Sequence, residues 1–402
     1  MTLQSLHAGG EPLSPRSDAF RLVCFGLLVA NLAYLAASWG SWIIDQSGQI
    51  APTDFVHVYT AGRLTNDGHA ALAYDWDQLH DAETAVLGRE WKVYLGWHYP
   101  PPFLGVAALL ATLPYAAAFF AWLAATLPLY LVTIRAIVRD RIGWLIAGAF
   151  PCLMPNIIPG QNGFLTASLI GGTLVLLERH PLLAGACLGL LTYKPQFGIL
   201  FPLVLLAGGH WRAIGAAAVT AIALVLASLV LFGVAPWEAF FQWLPRTSQA
   251  LFSEGSRTEW YKFQSLLALT RLLGGGATLA WALQLALAAL SAIVLLLLWR
   301  DQRVAFELKA AATALGVLLA TPYVYLYDLT VLAVAAAFLV RCALATGLVR
   351  GEALGLAAVT TLFLIGPFFA VPIGTAGAAI MALLIGRRVA QARASRGSST
   401  AS

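Results

Sequence analysis

Between Ala213 and Gly233 the chain runs 21 residues without a charge, and between Ala277 and Trp299 it runs 23. Each run is long enough for a helix to cross a bilayer, which takes roughly 20 apolar residues. Comparable apolar runs cover 20–43, 102–138, 142–158, 163–178, 181–193, 196–209, 310–321, 325–340, 353–366 and 370–386. Only 11% of the residues are charged, less than half the share in a soluble domain, so a water-soluble globule is excluded. The runs are continuous in Leu, Ala, Val, Ile and Phe instead of alternating apolar with polar, so they read as helices and not as barrel strands. The expected fold is an all-α polytopic membrane protein of about twelve transmembrane segments.

Several runs are shorter than a full span and are interrupted by Pro and Gly. Broken backbone at membrane depth is tolerated only where it is buried in protein or lines water, so these runs predict an internal cavity. The stretch from Phe20 to Trp39 lacks a small-residue cleavage site and reads as an uncleaved first helix. With a cytoplasmic N-terminus and alternating segments, 16 of the 24 Lys and Arg residues fall inside with 7 acids, against 8 basic and 12 acidic residues outside. That asymmetry fits the positive-inside rule and puts both termini in the cytoplasm. The run 102–138 must then cross once, as a half-helix ending near Leu113-Pro114 followed by a full span.

This topology puts the polar clusters on one face: the first loop (45–98), "GQN" at 160–162, "TYKPQ" at 192–196, the loop 234–276 and "TPYVYLYD" at 321–328. The coincidence points to an external site. The first loop alone holds 8 of the 19 acids, interleaved with Tyr74, Trp76, Trp91, Tyr94, Trp97 and Tyr99, a composition that suits helices lying along the interface. The loop 234–276, with Trp237, Trp243, Arg246, Glu254, Arg257, Glu259, Trp260, Tyr261 and Lys262, either covers a substrate or is solvated.

Within these clusters a few residues stand out. Lys194 lies in a long apolar tract, where an ammonium is costly and functional unless it snorkels to the interface. Asp328 is the single charge between Lys309 and Arg341 and sits among Tyr323, Tyr325 and Tyr327, whose rings suit either a sugar face or an interfacial belt. Gln161 and Asn162 follow the Pro159-Gly160 turn and offer amide donors, or simply connect two helices. Arg63 and His98 are further candidates for phosphate contact. Asp54 precedes an apolar run and is placed either to act chemically at the membrane surface or, with Thr53, to cap a helix.

The ordered series "DFVHVYTAGRL", "AYDWDQL", "HYPPPF" and "PGQNGFLTASLIGGTLVLLERHPLLAGACLGLLTYKPQFGILFPL" resembles glycosyltransferase family 87, over roughly residues 20–340. The resemblance implies a GT-C-type bundle and transfer of a hexose, mannose foremost, from a polyprenyl-phosphate-linked donor to an external lipid or glycan acceptor. It also implies a general base at the start of the first external loop, which here is Asp54. Such a transfer needs one carboxylate to take the acceptor proton, because phosphate leaves as a stable anion. Donor phosphate and sugar would then meet Lys194, Gln161 and Asn162, with Arg63, His98, Tyr325, Tyr327 and Asp328 as secondary candidates. Where the family carries Ser-Pro and a histidine, this chain has Thr321-Pro322 followed by tyrosines, which leaves the donor sugar open.

Other classes fit less well. "GGG" at 274–276 lacks the strand and the Lys-Ser/Thr of a phosphate loop, which disfavours a soluble nucleotide sugar. The four cysteines are scattered through apolar segments, and the acids show no ligand spacing, so no disulfide, metal or cofactor is expected. Membrane lipids, a lipid-linked donor and the acceptor are the expected partners, and nucleic acid is not. A secondary transporter or flippase remains the alternative, since broken helices and lone charges also suit a carrier. The expected organisation is one transmembrane domain at 19–387, including the external loop 45–98, between disordered cytoplasmic tails at 1–18 and 388–402.

Overall fold

The computed structural model describes residues 17–92, 96–252, 260–366, 369 and 371–399. Tyr94, Glu254, Arg257, Glu259 and most of the 1–18 tail lie outside them. Among the described residues there is no strand, only isolated bridges pairing Ile44 with Ile50 and Phe263 with Tyr325. The helices are α1 (Asp18–Ser38), α2 (Phe55–Asn66), α3 (Trp76–Leu87), α4 (Pro102–Leu110), α5 (Tyr115–Val138), α6 (Ile142–Ala149), α7 (Met154–Ile157), α8 (Gly163–Leu176) and α9 (Pro181–Leu190). They continue as α10 (Phe201–Ala207), α11 (Trp211–Phe232), α12 (Ala235–Phe252), α13 (Leu266–Leu272), α14 (Ala277–Arg300), α15 (Phe306–Ala320), α16 (Val331–Thr346), α17 (Glu352–Ile365) and α18 (Ile373–Ser399).

The chain is a polytopic membrane protein. Six of these stretches are long and apolar enough to cross a bilayer: Asp18–Ser41, Tyr115–Val138, Trp211–Phe232, Ala277–Arg300, Leu326–Thr346 and Ile373–Ala394. Four shorter apolar stretches accompany them, Gly163–Leu176, Pro181–Tyr193, Pro195–Ala207 and Glu352–Ile365. The remaining runs of the sequence are subdivided by proline. Pro114 separates α4 from α5, dividing 102–138 at the expected place, because proline lacks the donor that would continue a helix. Pro151 and Pro155 likewise split 142–158 into α6, a 3-10 turn and α7, so that run is no single helix.

The helices differ in what they face. The α16 segment is the most enclosed of the six long ones, whereas α11 turns Val219, Ile222, Leu226, Val230 and Leu231 outward, a large apolar surface suited to lipid. α9 packs along α11, α8 against α5, and α15 against α16, which makes α8 and α16 the inner wall of the bundle.

The C-terminal helix carries the packed region past residue 387, where composition suggested that a tail begins. Arg388 is buried and gives its guanidinium fork to both carboxylate oxygens of Glu352, to Thr346 Oγ1 and to the Gly347 carbonyl. Farther along, Arg393 Nε donates to Asp301 at 2.9 Å. Buried Glu352 needs a cation, and the planar fork of arginine satisfies both of its oxygens at once.

The first loop is built to hold one helix in a fixed place. Asp45 accepts from Arg89 Nη1 at 2.9 Å, and Arg89 Nη2 donates to the Ile50 carbonyl at 2.8 Å, closing the loop on itself. α3 starts at Asp75, whose carboxylate accepts from the amides of Asp77 and Gln78, and stops at Gly88, where φ is +67°. Gly62 lets α2 approach α4 closely: a Cβ there would strike the Ala107 carbonyl.

Glu83 is the unusual residue of this loop. Its side chain is fully buried, both carboxylate oxygens lack a hydrogen-bond partner among the described residues, and His80 Nδ1 lies 3.9 Å from Oε2. Burial raises its pKa from 4.5 to about 8. An acid whose folded pKa is raised favours the fold fully below its unfolded pKa, and that contribution is lost as pH rises from about 4.5 to about 8. Glu83→Gln is therefore expected to stabilise α3 at pH 8 by roughly 4 kcal/mol and to be nearly neutral at pH 4.5. Hydrogen exchange of the amides at 79–87, corrected for intrinsic rates, reads this directly, and identical opening energies in both proteins at pH 8 would refute it.

Candidate active site

The N-terminus of α2 is pinned to the turn that precedes α8. Phe55 N donates to the Pro159 carbonyl at 2.9 Å, and Trp42 Nε1 donates to the neighbouring Ile158 carbonyl at 2.8 Å. Gly160 makes that approach possible: its φ is +71°, and a Cβ would collide with Phe55 and Phe119. As a result Gln161 Nε2 donates to Asp54 Oδ2 at 2.7 Å. Asp54 is the residue before α2, yet its carboxylate makes no capping bond. Thr53 does not cap either, since its hydroxyl meets Tyr115 Oη at 3.0 Å. The half-buried Asp54 carboxylate thus keeps Oδ1 free of intrahelical duty. Burial raises its pKa, opposed by the Gln161 bond and the charge of Lys262.

Asn162, next to Gln161, donates from Nδ2 to Tyr99 Oη at 2.6 Å, and its own Oδ1 is buried without a partner among the described residues. Tyr99 stacks on His57 with centroids 6.2 Å apart and on Tyr193 at 6.1 Å. His57 is buried three residues beyond Asp54 on the same face of α2, with Nδ1 unpartnered among the described residues. Burial lowers its pKa to about 4, so its imidazole is neutral at physiological pH. Spacing alone could have flagged His57, because residues three apart share a helix face, but a lone histidine in an apolar run carries little signal.

Lys194 follows Tyr193 directly and occupies the break between two 3-10 turns. It does not snorkel: its side chain is buried, and Nζ bonds Asp328 Oδ1 at 2.7 Å. The ammonium also lies 4.8 Å from the ring centroid of Tyr327 and 5.6 Å from that of Phe197. Asp328 spends its second oxygen on its own turn, accepting from Tyr325 N at 3.0 Å, and the rings of Tyr325 and Tyr327 stack 5.4 Å apart.

Two side chains join the two halves: Tyr193 Oη donates to the Asn162 carbonyl at 3.3 Å, and the Asn156 amide ties the Asn162 turn to the Tyr327 turn. Asn156 Nδ2 donates to the Cys152 carbonyl, the Tyr327 carbonyl and Thr330 Oγ1 at 3.0, 3.1 and 2.7 Å, while the Asn156 carbonyl accepts from Gln161 N at 2.9 Å. Gly163 lets the backbone of Tyr327 pass close by. Asp54, Gln161, Asn162, Lys194, Tyr325, Tyr327 and Asp328 consequently form one connected cluster, extended by His57, Tyr99 and Tyr193.

A model of glycosyltransferase family 87 matches residues 97–322, more than half of the chain. The chain belongs to glycosyltransferase family 87. No curated protein and no solved structure matches it. The matched region of this family 87 glycosyltransferase contains Gln161, Asn162 and Lys194, while Asp54 precedes it and Asp328 follows it.

One sequence candidate lies apart from the cluster, and a second lies at its edge. Arg63 is exposed on α2 and lines a separate cavity with Tyr59 and Asp67, two turns beyond Asp54. His98 is at the edge: its ring meets Trp76 at 6.1 Å, and it is close enough to His57 for the two imidazoles to interact electrostatically. For Arg63, proximity in sequence to Asp54 did not become proximity in space, because the rigid α2 carries it away. The loop 234–276 does reach the first loop: on α12, Trp243 stacks on Trp76 at 6.4 Å and Phe240 meets Tyr74 edge to face at 5.8 Å.

Proposed function

We propose that this family 87 glycosyltransferase moves a hexose, mannose foremost, from a polyprenyl-phosphate donor to a lipid or glycan acceptor at the non-cytoplasmic face of the membrane. The observation that carries the reading is the Asp54 carboxylate: it is held by Gln161 and released from capping α2, and the neighbouring Asn162 carbonyl accepts from Tyr193, the residue before the buried Lys194. A buried ammonium bonded to one acid still has unused donors with which to meet a lipid phosphate.

In the proposed step the acceptor hydroxyl gives its proton to Asp54 as its oxygen bonds the anomeric carbon of the donor. The carbon–oxygen bond to phosphate breaks, and polyprenyl phosphate departs with the electron pair. Lys194 faces the charge that grows on the leaving phosphate, while Gln161 and Asn162 orient the sugar through their amides. The raised pKa of Asp54 makes its carboxylate a stronger proton acceptor. With Lys194 neutralising the phosphate, the reaction requires neither a metal ion nor a cofactor.

The test is turnover by the purified full chain in lipid, offered polyprenyl-phosphate mannose, glucose and galactose together with a membrane lipid extract, reading polyprenyl phosphate released and glycosylated product formed. Product from one donor is expected. Failure with every polyprenyl-linked donor would end this reading and favour a carrier.

A further inference from the structure

An apolar cavity of about 400 Å³ lies between α1, α16 and α17, outside the catalytic cluster. α1 lines it with Phe20, Val23 and Leu27 at helical spacing, and α16 with Leu332, Ala336 and Val340 at intervals of four. α17 closes it with Leu356 and Leu364, and the Thr360 hydroxyl on that wall is spent on the Leu356 carbonyl at 2.9 Å. Such a lining offers little to a polar ligand and suits a hydrocarbon chain. Val23 and Leu364 are exposed at its rim, so a chain can enter sideways from lipid.

Length and place narrow the choice of chain. From Leu332 to Val340, α16 rises about 12 Å, close to the roughly 15 Å hydrocarbon depth of one leaflet. The mouth lies where Ser17 begins α1 and where the turn between α16 and α17 carries Leu348 and Ala353. From there α1 runs 21 residues, about 30 Å, toward Trp42, which bonds the Ile158 carbonyl beside the Asp54 site. The mouth therefore belongs to the leaflet opposite the catalytic cluster, where a donor with its phosphate at Lys194 cannot place its headgroup.

The mouth is also charged. Arg350 and Arg387 are exposed there, and neither forms an ion pair among the described residues. Arg387 lies against Gly351, where a Cβ would come within 3.2 Å of Nη1. The turn that presents them is held firmly: Val349 N donates to Glu352 Oε2 at 3.0 Å, and buried Arg388 bonds Glu352, Thr346 and the Gly347 carbonyl. Arg388 offsets Glu352, and Arg21 offsets Asp18 at 4.0 Å, so among the described residues Arg350 and Arg387 set the charge of the mouth. Two guanidinium forks above a hydrocarbon slot complement a phosphodiester headgroup that carries no amine.

We propose that this cavity holds one acyl chain of an anionic phospholipid, with the headgroup phosphate at Arg350 and Arg387. α1 packs on α6 and α17 on α18, so a chain filling the gap between α1 and α17 adds apolar contact that fastens both to the bundle. The proposal is independent of the reaction at Asp54.

The test is native mass spectrometry of the purified full chain in detergent, titrated with dioleoyl phosphatidylglycerol and dioleoyl phosphatidylcholine, with thermal unfolding in parallel. One phosphatidylglycerol is expected to bind about tenfold more tightly than phosphatidylcholine and to raise Tm. Arg350→Gln combined with Arg387→Gln should erase that preference without disturbing the fold, since both side chains are exposed. Ala336→Phe should fill the slot, weaken both phospholipids about tenfold and abolish the rise in Tm. If Ala336→Phe fails to fold, the arginine variant still decides. Equal affinity for the two phospholipids, a preference that survives the double substitution, or full binding by a folded Ala336→Phe protein would each overturn the proposal. Displacement of bound phosphatidylglycerol by equimolar polyprenyl phosphate would also overturn it and assign the slot to the donor chain.

Discussion

Replacing Asp54 by Asn is expected to lower turnover by about 10²–10⁴-fold while leaving the KM of the lipid-linked donor within about twofold. Asparagine preserves the shape of the side chain and can still accept from Gln161 Nε2, so the pinned geometry at the start of α2 survives; it cannot take a proton. Because the Asp54 carboxylate makes no capping bond, the substitution should cost α2 little. The check is single-turnover transfer by wild type and variant in nanodiscs, with thermal unfolding run alongside. Equal rates in a folded Asp54→Asn protein would move the base to another group.

The second large effect concerns the buried pair. Asp328→Asn leaves the Lys194 ammonium in a low-dielectric interior with no counter-ion, and breaking such a pair costs about 3–5 kcal/mol. The turn at Tyr325 is spared, since an asparagine oxygen can still accept from Tyr325 N. Lys194→Met combined with Asp328→Asn removes both charges together, and most of the lost stability should return, because desolvation and attraction disappear as a pair. Turnover should not return: without the ammonium nothing in the cluster compensates the charge on the leaving phosphate. Thermal unfolding and donor KM, measured on both variants, separate the roles. A stable double variant with wild-type turnover would reduce Lys194 and Asp328 to a structural ion pair.

What the sequence determined by itself rests on one-dimensional signals. Apolar run length fixes membrane-spanning helices, since each backbone group must be satisfied within its own segment once water is gone. Proline marks the breaks, and the division of 102–138 at Pro114 follows from its missing donor. Lys194 and Asp328 are conspicuous because a charge in an apolar tract is costly, and that cost is legible before any partner is known. That they are partners was decided only by the tertiary structure. They lie 134 positions apart, and the bond forms because Asn156 and Gly163 bring the Tyr327 backbone against the start of α8. The same holds for Gln161 and Asp54, joined across 107 positions by the close approach that Gly160 allows. Local pattern also misplaced one group. Arg388 looked like part of a polar tail until a buried Glu352 claimed it. Burial cost is a property of a residue and its flanks and so can be read along a chain. The compensation of that cost depends on which distant segments meet, and that is settled by packing in three dimensions.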